Sequence, residues 1–291
     1  REPLLELLAS KTFTDFPSAS AIEIYQQQLF VFGDDAPYLL VLDTNFQKCD
    51  TIRFFPDTAQ RIAREIKPDI EAATIVSNSQ TNFLYALGSL SDTNRKKLFI
   101  FPLNRLRAFT TMDLEPFKRN IGSLEEINIE GSAAVKNKLV FANRANRLHP
   151  VNYLIVTDTA HWLTNNAPAR IVPVQLDKNS KLMGISGLFY IAGQDMLLFT
   201  ASEEDTPSAT QDGTIGNSYL GIIRQASRQI EKQAITPETV IPLTEADKLF
   251  HKQKVESVCA ASASDKEILL YVTADNDNGQ STLFKLRLKL R

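Results

Sequence analysis

Apolar and polar positions along this chain form short strand-like runs, and the runs come in sets. Five times, a serine or glutamate opens a segment rich in small residues, and a continuous apolar run follows about ten residues later. The five starts are Ser20-Ala21-Ile22, Glu71-Ala72-Ala73, Glu130-Gly131-Ser132, Ser186-Gly187-Leu188 and Glu256-Ser257-Val258. They stand 51, 59, 56 and 70 residues apart, and the walk from Glu256 through the C-terminus to Ser20 adds another 55. A strand-bearing period of about 50–60 residues that closes across the two termini predicts an all-β circular array, a β-propeller.

Within each set the first strand is small, as Gly131-Ser132-Ala133-Ala134 and Ala72-Ala73 show. That suits an innermost strand crowded around a channel. Turn-type residues follow, such as Gln26-Gln27-Gln28 and Lys136-Asn137-Lys138. The second strand is apolar on both faces, as in Leu29-Phe30-Val31-Phe32 and Leu139-Val140-Phe141-Ala142, so it is expected to lie between neighbouring sheets. Third strands recur at Tyr38–Leu42, Lys97–Phe101, Tyr153–Val156, Tyr219–Ile223 and Leu283–Leu286. Fourth strands are weaker, with Cys49–Phe55 and Arg105–Thr111 as candidates. The expectation is one domain, 1–291, built as five four-stranded blades. A sixth blade drawn from 159–182 and 225–254 is the alternative. The last set stops after its third strand, so Leu4–Phe13 is expected to complete that blade and close the ring. One short helix is expected over Pro56–Ile66.

Composition narrows the function classes. The chain has 291 residues, 43% hydrophobic and 23% charged, with a formal net charge of −2. That balance gives no electrostatic drive towards nucleic acid or an anionic membrane. No run of 18 apolar residues exists to span a bilayer. Cys49 and Cys259 fall on an outer and an inner strand, so they are expected unpaired, as two small buried hydrophobes. The sequence begins at Arg1 without an apolar leader; a processed, extracytoplasmic protein and a monomer are expected.

Two constellations carry candidate chemistry, both on the face where the loops entering the first strands meet those joining second to third. The first is the ring of starts. Glu71, Glu130 and Glu256 converge on the axis, and Asp69 and Asn128 lie two residues before the first two. Converging carboxylates repel unless a cation or proton is present, so Glu71, Glu130, Glu256 and Asp69 are candidate ligands for Ca²⁺. The competing reading has them capping backbone groups or lining a wet channel. The second is the loop Asn143-Arg144-Ala145-Asn146-Arg147-Leu148-His149-Pro150, where Asn143, Arg144, Asn146, Arg147 and His149 suit a carboxylate or phosphate. Its competing reading has the arginines pairing with the ring glutamates. The long loop from Thr200 to Asn217 reads as a flap or a surface insertion, and Asp275–Gly279 as a plain turn. The three histidines have no metal spacing, and Trp162 either fills a gap between blades or stacks on a ligand. No residue is assigned a catalytic role.

The openings Asp69-Ile70-Glu71-Ala72 and Asn128-Ile129-Glu130-Gly131 resemble the acidic-x-Glu-Gly starts of two groups of bacterial propellers, the esterase-like phytase and SdiA-regulated-type families. The chain also resembles uncharacterised bacterial propellers. The phytase-like resemblance implies a calcium-associated face and phosphate-ester hydrolysis. Three functions are therefore carried forward: a propeller binding a small anionic ligand or a protein segment, a calcium-assisted hydrolase, and a scaffold for protein contacts.

Overall fold

The computed structural model describes residues 3–176, 181–205, 207–211 and 213–290. The first strand, β1 (Leu4–Phe13), belongs to the last blade. Blade 1 is β2 (Ala19–Tyr25), β3 (Gln28–Gly33), β4 (Tyr38–Asp43) and β5 (Lys48–Arg53). Blade 2 is β6 (Ile70–Ser77), β7 (Asn82–Gly88), β8 (Lys97–Pro102) and β9 (Thr110–Asp113). Blade 3 is β10 (Ile129–Val135), β11 (Lys138–Asn143), β12 (Asn152–Asp158) and β13 (Ala169–Val174). Blade 4 is β14 (Met183–Ile191), β15 (Met196–Glu204), β16 (Ile215–Arg224) and β17 (Thr239–Pro242). Blade 5 is β18 (Lys254–Ala263), β19 (Glu267–Asp275) and β20 (Ser281–Lys289), with β1 as its outer strand. All five sheets are antiparallel meanders of four strands.

Ring closure follows the expected route. β1 runs antiparallel to β20, pairing Leu5 with Leu288 and Phe13 with Ser281. The two ends of the chain thus share one sheet, in which β1 covers the edge of β20 and latches the ring. The stretches considered for a sixth blade instead hold fourth strands. The first contains β13 and the second β17, while 177–180 lie outside the described residues.

The second strands are buried on both faces, as their composition demands. Leu29, Val31 and Phe32 have no exposed surface, nor do Leu139, Val140 and Phe141. Phe54, Phe99 and Phe101 pack edge-on between blades 1 and 2, with Phe54 and Phe99 centroids 4.9 Å apart. Trp162 is buried against Phe117 and Phe141 at 5.1 Å, so it fills the gap between blades 2 and 3. The small inner strands allow backbone contact across blades: a Cβ on Gly187 would lie 2.7 Å from Ser257 Cα.

Three local expectations are corrected. The fourth strand of blade 2 starts at Thr110, because Arg105–Ala108 first makes a tight turn. Cys49 is exposed, because the outer strand β5 has no blade covering that face; Cys259 is buried. Pro56–Ile66 forms no helix. Its donors go elsewhere: Ile62 N–H bonds to the Asp35 carbonyl at 2.7 Å, which pins the segment across the top of blade 1. The α-helices of the described residues are the short α1 (Glu115–Asn120) and α2 (Ala226–Gln229).

Candidate functional site at the axial mouth

Each inner strand begins with the same irregularity. The register slips between Ala19 and Ala21, Ile70 and Ala72, Ile129 and Gly131, Ile185 and Gly187, and Val255 and Ser257. The skipped residues are Ser20, Glu71, Glu130, Ser186 and Glu256. The start motif of the sequence is therefore a β-bulge repeated five times. A bulge places two residues opposite one and re-aims the extra side chain.

The five bulges are not equivalent in use. Ser20 Oγ donates to the Ile70 carbonyl of blade 2, and Ser186 Oγ donates to the Val255 carbonyl of blade 5 at 2.9 Å. In blades 2 and 3 the long carboxylates Glu71 and Glu130 stand in a polar cavity of about 270 Å³ at the mouth of the axis. Eight carboxylate residues and six basic ones line it. They come from the loops and strand ends that the topology brings to one face: Asp34 and Asp35 after β3, Arg95 before β8, Arg144 after β11, Asp275 at the end of β19 and Asp277 after it, and Arg61, Lys67, Asp69 and Asn128 on the entries to the inner strands.

Most of the basic groups are already paired. Lys67 Nζ lies 2.7 Å from Asp34 and 2.9 Å from Asp69. Arg95 meets Asp69 at 3.2 Å and Arg61 meets Asp35 at 2.7 Å. Arg144 crosses from blade 3 to blade 4, 2.7 Å from Glu204 and 2.9 Å from Ser202 Oγ, and 3.7 Å from Glu130. It lies against Gly184, where a Cβ would come within 2.4 Å of its Nε. Lys254 meets Glu256 at 3.2 Å beside the cavity.

Glu71 forms no hydrogen bond or ion pair with the described residues, and the charge balance around it is unfavourable to a carboxylate. Desolvation, then the Glu130 charge, holds its carboxyl well above the usual range. Burial pushes Glu130 up to about 8 against the opposing pull of Arg144. Asp275 is pushed up to about 8 and Asp34 to about 6, again by burial first, with Lys254 and Lys67 opposing. Lys67 and Arg144 are also raised, for the opposite reason: burial disfavours their charge, but the carboxylates beside them carry both above their ordinary values. The mouth is thus short of positive charge.

Of the predicted residues, Asp69, Glu71, Glu130 and Arg144 line the cavity, and Glu256 is buried beside it on Lys254. Asn143 holds the entry loop, accepting from Asn128 N–H at 2.7 Å. Asn146 bonds Glu126 at 2.8 Å, and His149 lies 3.0 Å from Glu125 and 3.5 Å from Glu126. Arg147 is exposed, 3.6 Å from Asp205. The loop Asn143–Pro150 therefore sends Arg144 inward and shapes the rim with the rest. Ala209, Thr210 and Gln211 of the expected flap line the cavity, with Ala209 N–H on Glu126 Oε1 at 2.6 Å; residues 206 and 212 of that loop lie outside the described residues.

Asp34, Asp35, Lys67, Lys254 and Asp275 were not picked out by sequence reasoning. Their signal was positional: Asp34-Asp35 and Arg144 follow a second strand and Asp275 ends one, and Lys67 and Lys254 precede a start by four and two residues. One oxygen from each of Asp34, Asp69 and Glu71 lies within 4.8 Å of the others, close enough to share a cation.

The fold is shared with solved structures of low sequence identity. Glutaminyl cyclase of Myxococcus xanthus is 12% identical with a TM-score of 0.56, covering 99% of this chain and 98% of that one. The tail fibre of Staphylococcus aureus phage P68 is 12% identical with a TM-score of 0.50, over 99% of this chain and 52% of that one. No curated protein matches the chain. A family model does, over residues 15–288, and the chain belongs to that family, DUF6929, a family of unknown function.

Proposed function

We propose that the protein is a ligand-binding propeller whose working surface is the axial mouth. The mouth takes a small polar molecule with a positively charged end on Glu71 and Glu130 and an anionic end towards the rim arginines Arg61 and Arg64. The observation that carries this reading is the pair of bulges that project two carboxylates of adjacent blades into one cavity, Glu71 without a partner. A ligand cation would supply the charge the cavity lacks. The anion-binding expectation is kept for the rim: Arg144 is engaged with Glu204, whereas Arg61 remains half exposed.

A second reading, Ca²⁺ held by Asp34, Asp69 and Glu71 and serving an ester hydrolase, is supported by the grouping of their oxygens. The two are separated by thermal unfolding against a set of small charged molecules and Ca²⁺, in wild type and Glu71→Gln. Binding to the native state raises the melting temperature by mass action. The first reading expects stabilisation by positively charged organic molecules, lost in Glu71→Gln. Stabilisation confined to purely anionic molecules, or unchanged in Glu71→Gln, would sink it. Stabilisation by Ca²⁺ alone, reversed by chelator, selects the second.

A further inference from the structure

The cavity already displays one cation in place. The Lys67 ammonium sits between Asp34 Oδ2 and Asp69 Oδ1 at 2.7 and 2.9 Å, distances of charge-assisted hydrogen bonds. Around that seat several acceptors are left over. Asp35 lines the cavity and is only 7% exposed, yet its Oδ1 is buried without a hydrogen-bond partner. Asp34 Oδ1 is likewise buried and unpartnered. Glu71, close to Asp34 and lining the same cavity as Asp35, has no partner among the described residues. Buried acceptors without donors are rare because each costs its desolvation. Together they call for a group that brings several donors.

The choice between a metal and a donor-bearing cation follows from Asp69. Its Oδ1 faces Lys67, and its Oδ2 faces Arg95 at 3.2 Å and Ser89 Oγ. A hard divalent ion asks for about six to eight oxygens. Here each oxygen of Asp69 already faces a cation, so the ion would have to displace Lys67 or Arg95 to gain even three protein ligands. An ammonium carries one charge and three N–H donors and tolerates Lys67 as a neighbour. We infer that the positively charged end of the ligand is a primary ammonium, seated on Glu71 beside Lys67 with Asp34 and Asp35 behind it. This deepens the reading of the mouth as a cation-binding cavity and rests on it.

The test uses the full chain and four probes at pH 8: 5-aminopentanoate, its N-acetyl analogue, its N,N,N-trimethyl analogue and CaCl2. Saturating 5-aminopentanoate should raise the melting temperature by about 5 °C. The acetylated probe has no charge on nitrogen, the trimethylated one has charge without N–H donors, and both should leave it unmoved, as should CaCl2. Glu71→Gln, a neutral isostere, should fold and lose the response. Chemical rescue gives a second readout. Lys67→Ala empties the seat on Asp34 and Asp69, so methylammonium should restore melting temperature to that variant and not to wild type. Equal shifts from the amino and trimethyl probes would overturn the ammonium while leaving a cation site. A shift from CaCl2 alone would overturn it in favour of a metal. No shift from any probe, with no rescue of Lys67→Ala, would overturn it outright, whatever the broader set of charged molecules shows for the cavity.

Discussion

Blades 1 and 4 carry a serine at the bulge of their inner strand, and blades 2, 3 and 5 carry a glutamate there. The backbone device is the same, and the side chain decides what it does. Ser20 and Ser186 are short, and each reaches the carbonyl of the residue just before the next blade's bulge, Ile70 and Val255. They sew neighbouring blades together at the top of the ring. A glutamate at that position overshoots the carbonyl. Glu71 and Glu130 enter the cavity, and Glu256 turns to Lys254. Blade stitching and cavity lining are thus written at one repeated position, the first in the serine blades and the second in blades 2 and 3. The remaining blade interfaces find other stitches. Blade 3 meets blade 2 through Ile129 N–H on the Ser89 carbonyl at 2.8 Å, and meets blade 4 through Arg144.

Arg144 offers the harshest break. It is the counter-charge for Glu204 and the nearest cation to Glu130, and all three side chains are nearly buried. Removing one partner of a buried pair leaves the other charge uncompensated, at a cost of about 3–5 kcal/mol. Arg144→Met should therefore lower the melting temperature by about 10 °C at neutral pH. The double variant with Glu204→Gln should recover a large part of that loss. If Arg144→Met melts like wild type, the arginine is not what lets the glutamate blades tolerate their charges.

pH sharpens the contrast more gently. Glu130 has its native carboxyl near 8 against an ordinary value of 4.5 in the unfolded chain. Between those values the native state holds the proton and the unfolded state does not. Stability should therefore fall as pH rises from about 5 to 8, by on the order of 1–3 kcal/mol for this group. Glu130→Gln removes the linked proton, so its melting temperature should exceed that of wild type at pH 8 and converge with it near pH 5. A wild-type profile flat over that range, superimposed on the variant's, would contradict the assignment. Serine bulges carry no such proton, and Ser186→Ala should shift the curve down equally at every pH.

The repeat was legible because it is built into the order of the chain: small strand, turn, apolar strand, at a spacing that closes. Even the bulge left a trace, since the five start residues picked out by pattern are the five that the register skips. Boundaries held by tertiary contact were not legible. Pro56–Ile66 has a helical opening, but Ile62 gives its N–H to Asp35 across the blade. The site was half legible for the same reason. Glu71 and Glu130 stand at repeat positions, whereas Asp35, Lys67 and Lys254 matter only because closure of the ring brings five loops to one mouth. Asp275–Gly279 has the local signature of a turn and is one, with Asp277 N–H on Asp275 Oδ1 at 2.8 Å, and it also forms part of the cavity wall.

The mildest prediction converts one class of blade into the other. If the bulge alone sets the geometry, a serine at position 130 should behave as Ser20 and Ser186 do and donate to the carbonyl of Ile185, the residue before the next bulge. Glu130→Ser would then lose a buried carboxyl and gain a hydrogen bond between blades 3 and 4, worth about 1 kcal/mol. Glu130→Ala loses the same carboxyl and gains no bond, so it is the proper reference. Glu130→Ser should be more stable than Glu130→Ala by about that amount in urea unfolding at pH 8, with an unchanged slope against denaturant. Equal midpoints would mean that the stitch needs more than the bulge. The place to look would be Gly131, whose Cβ position is blocked 2.9 Å away by the Leu188 backbone and which fixes how closely the two blades approach. In that case the serine blades owe their bond to local spacing, and the glutamates of blades 2 and 3 enter the cavity, Glu130 held there by Asn128 and Arg144, because their neighbours hold the next carbonyl out of reach.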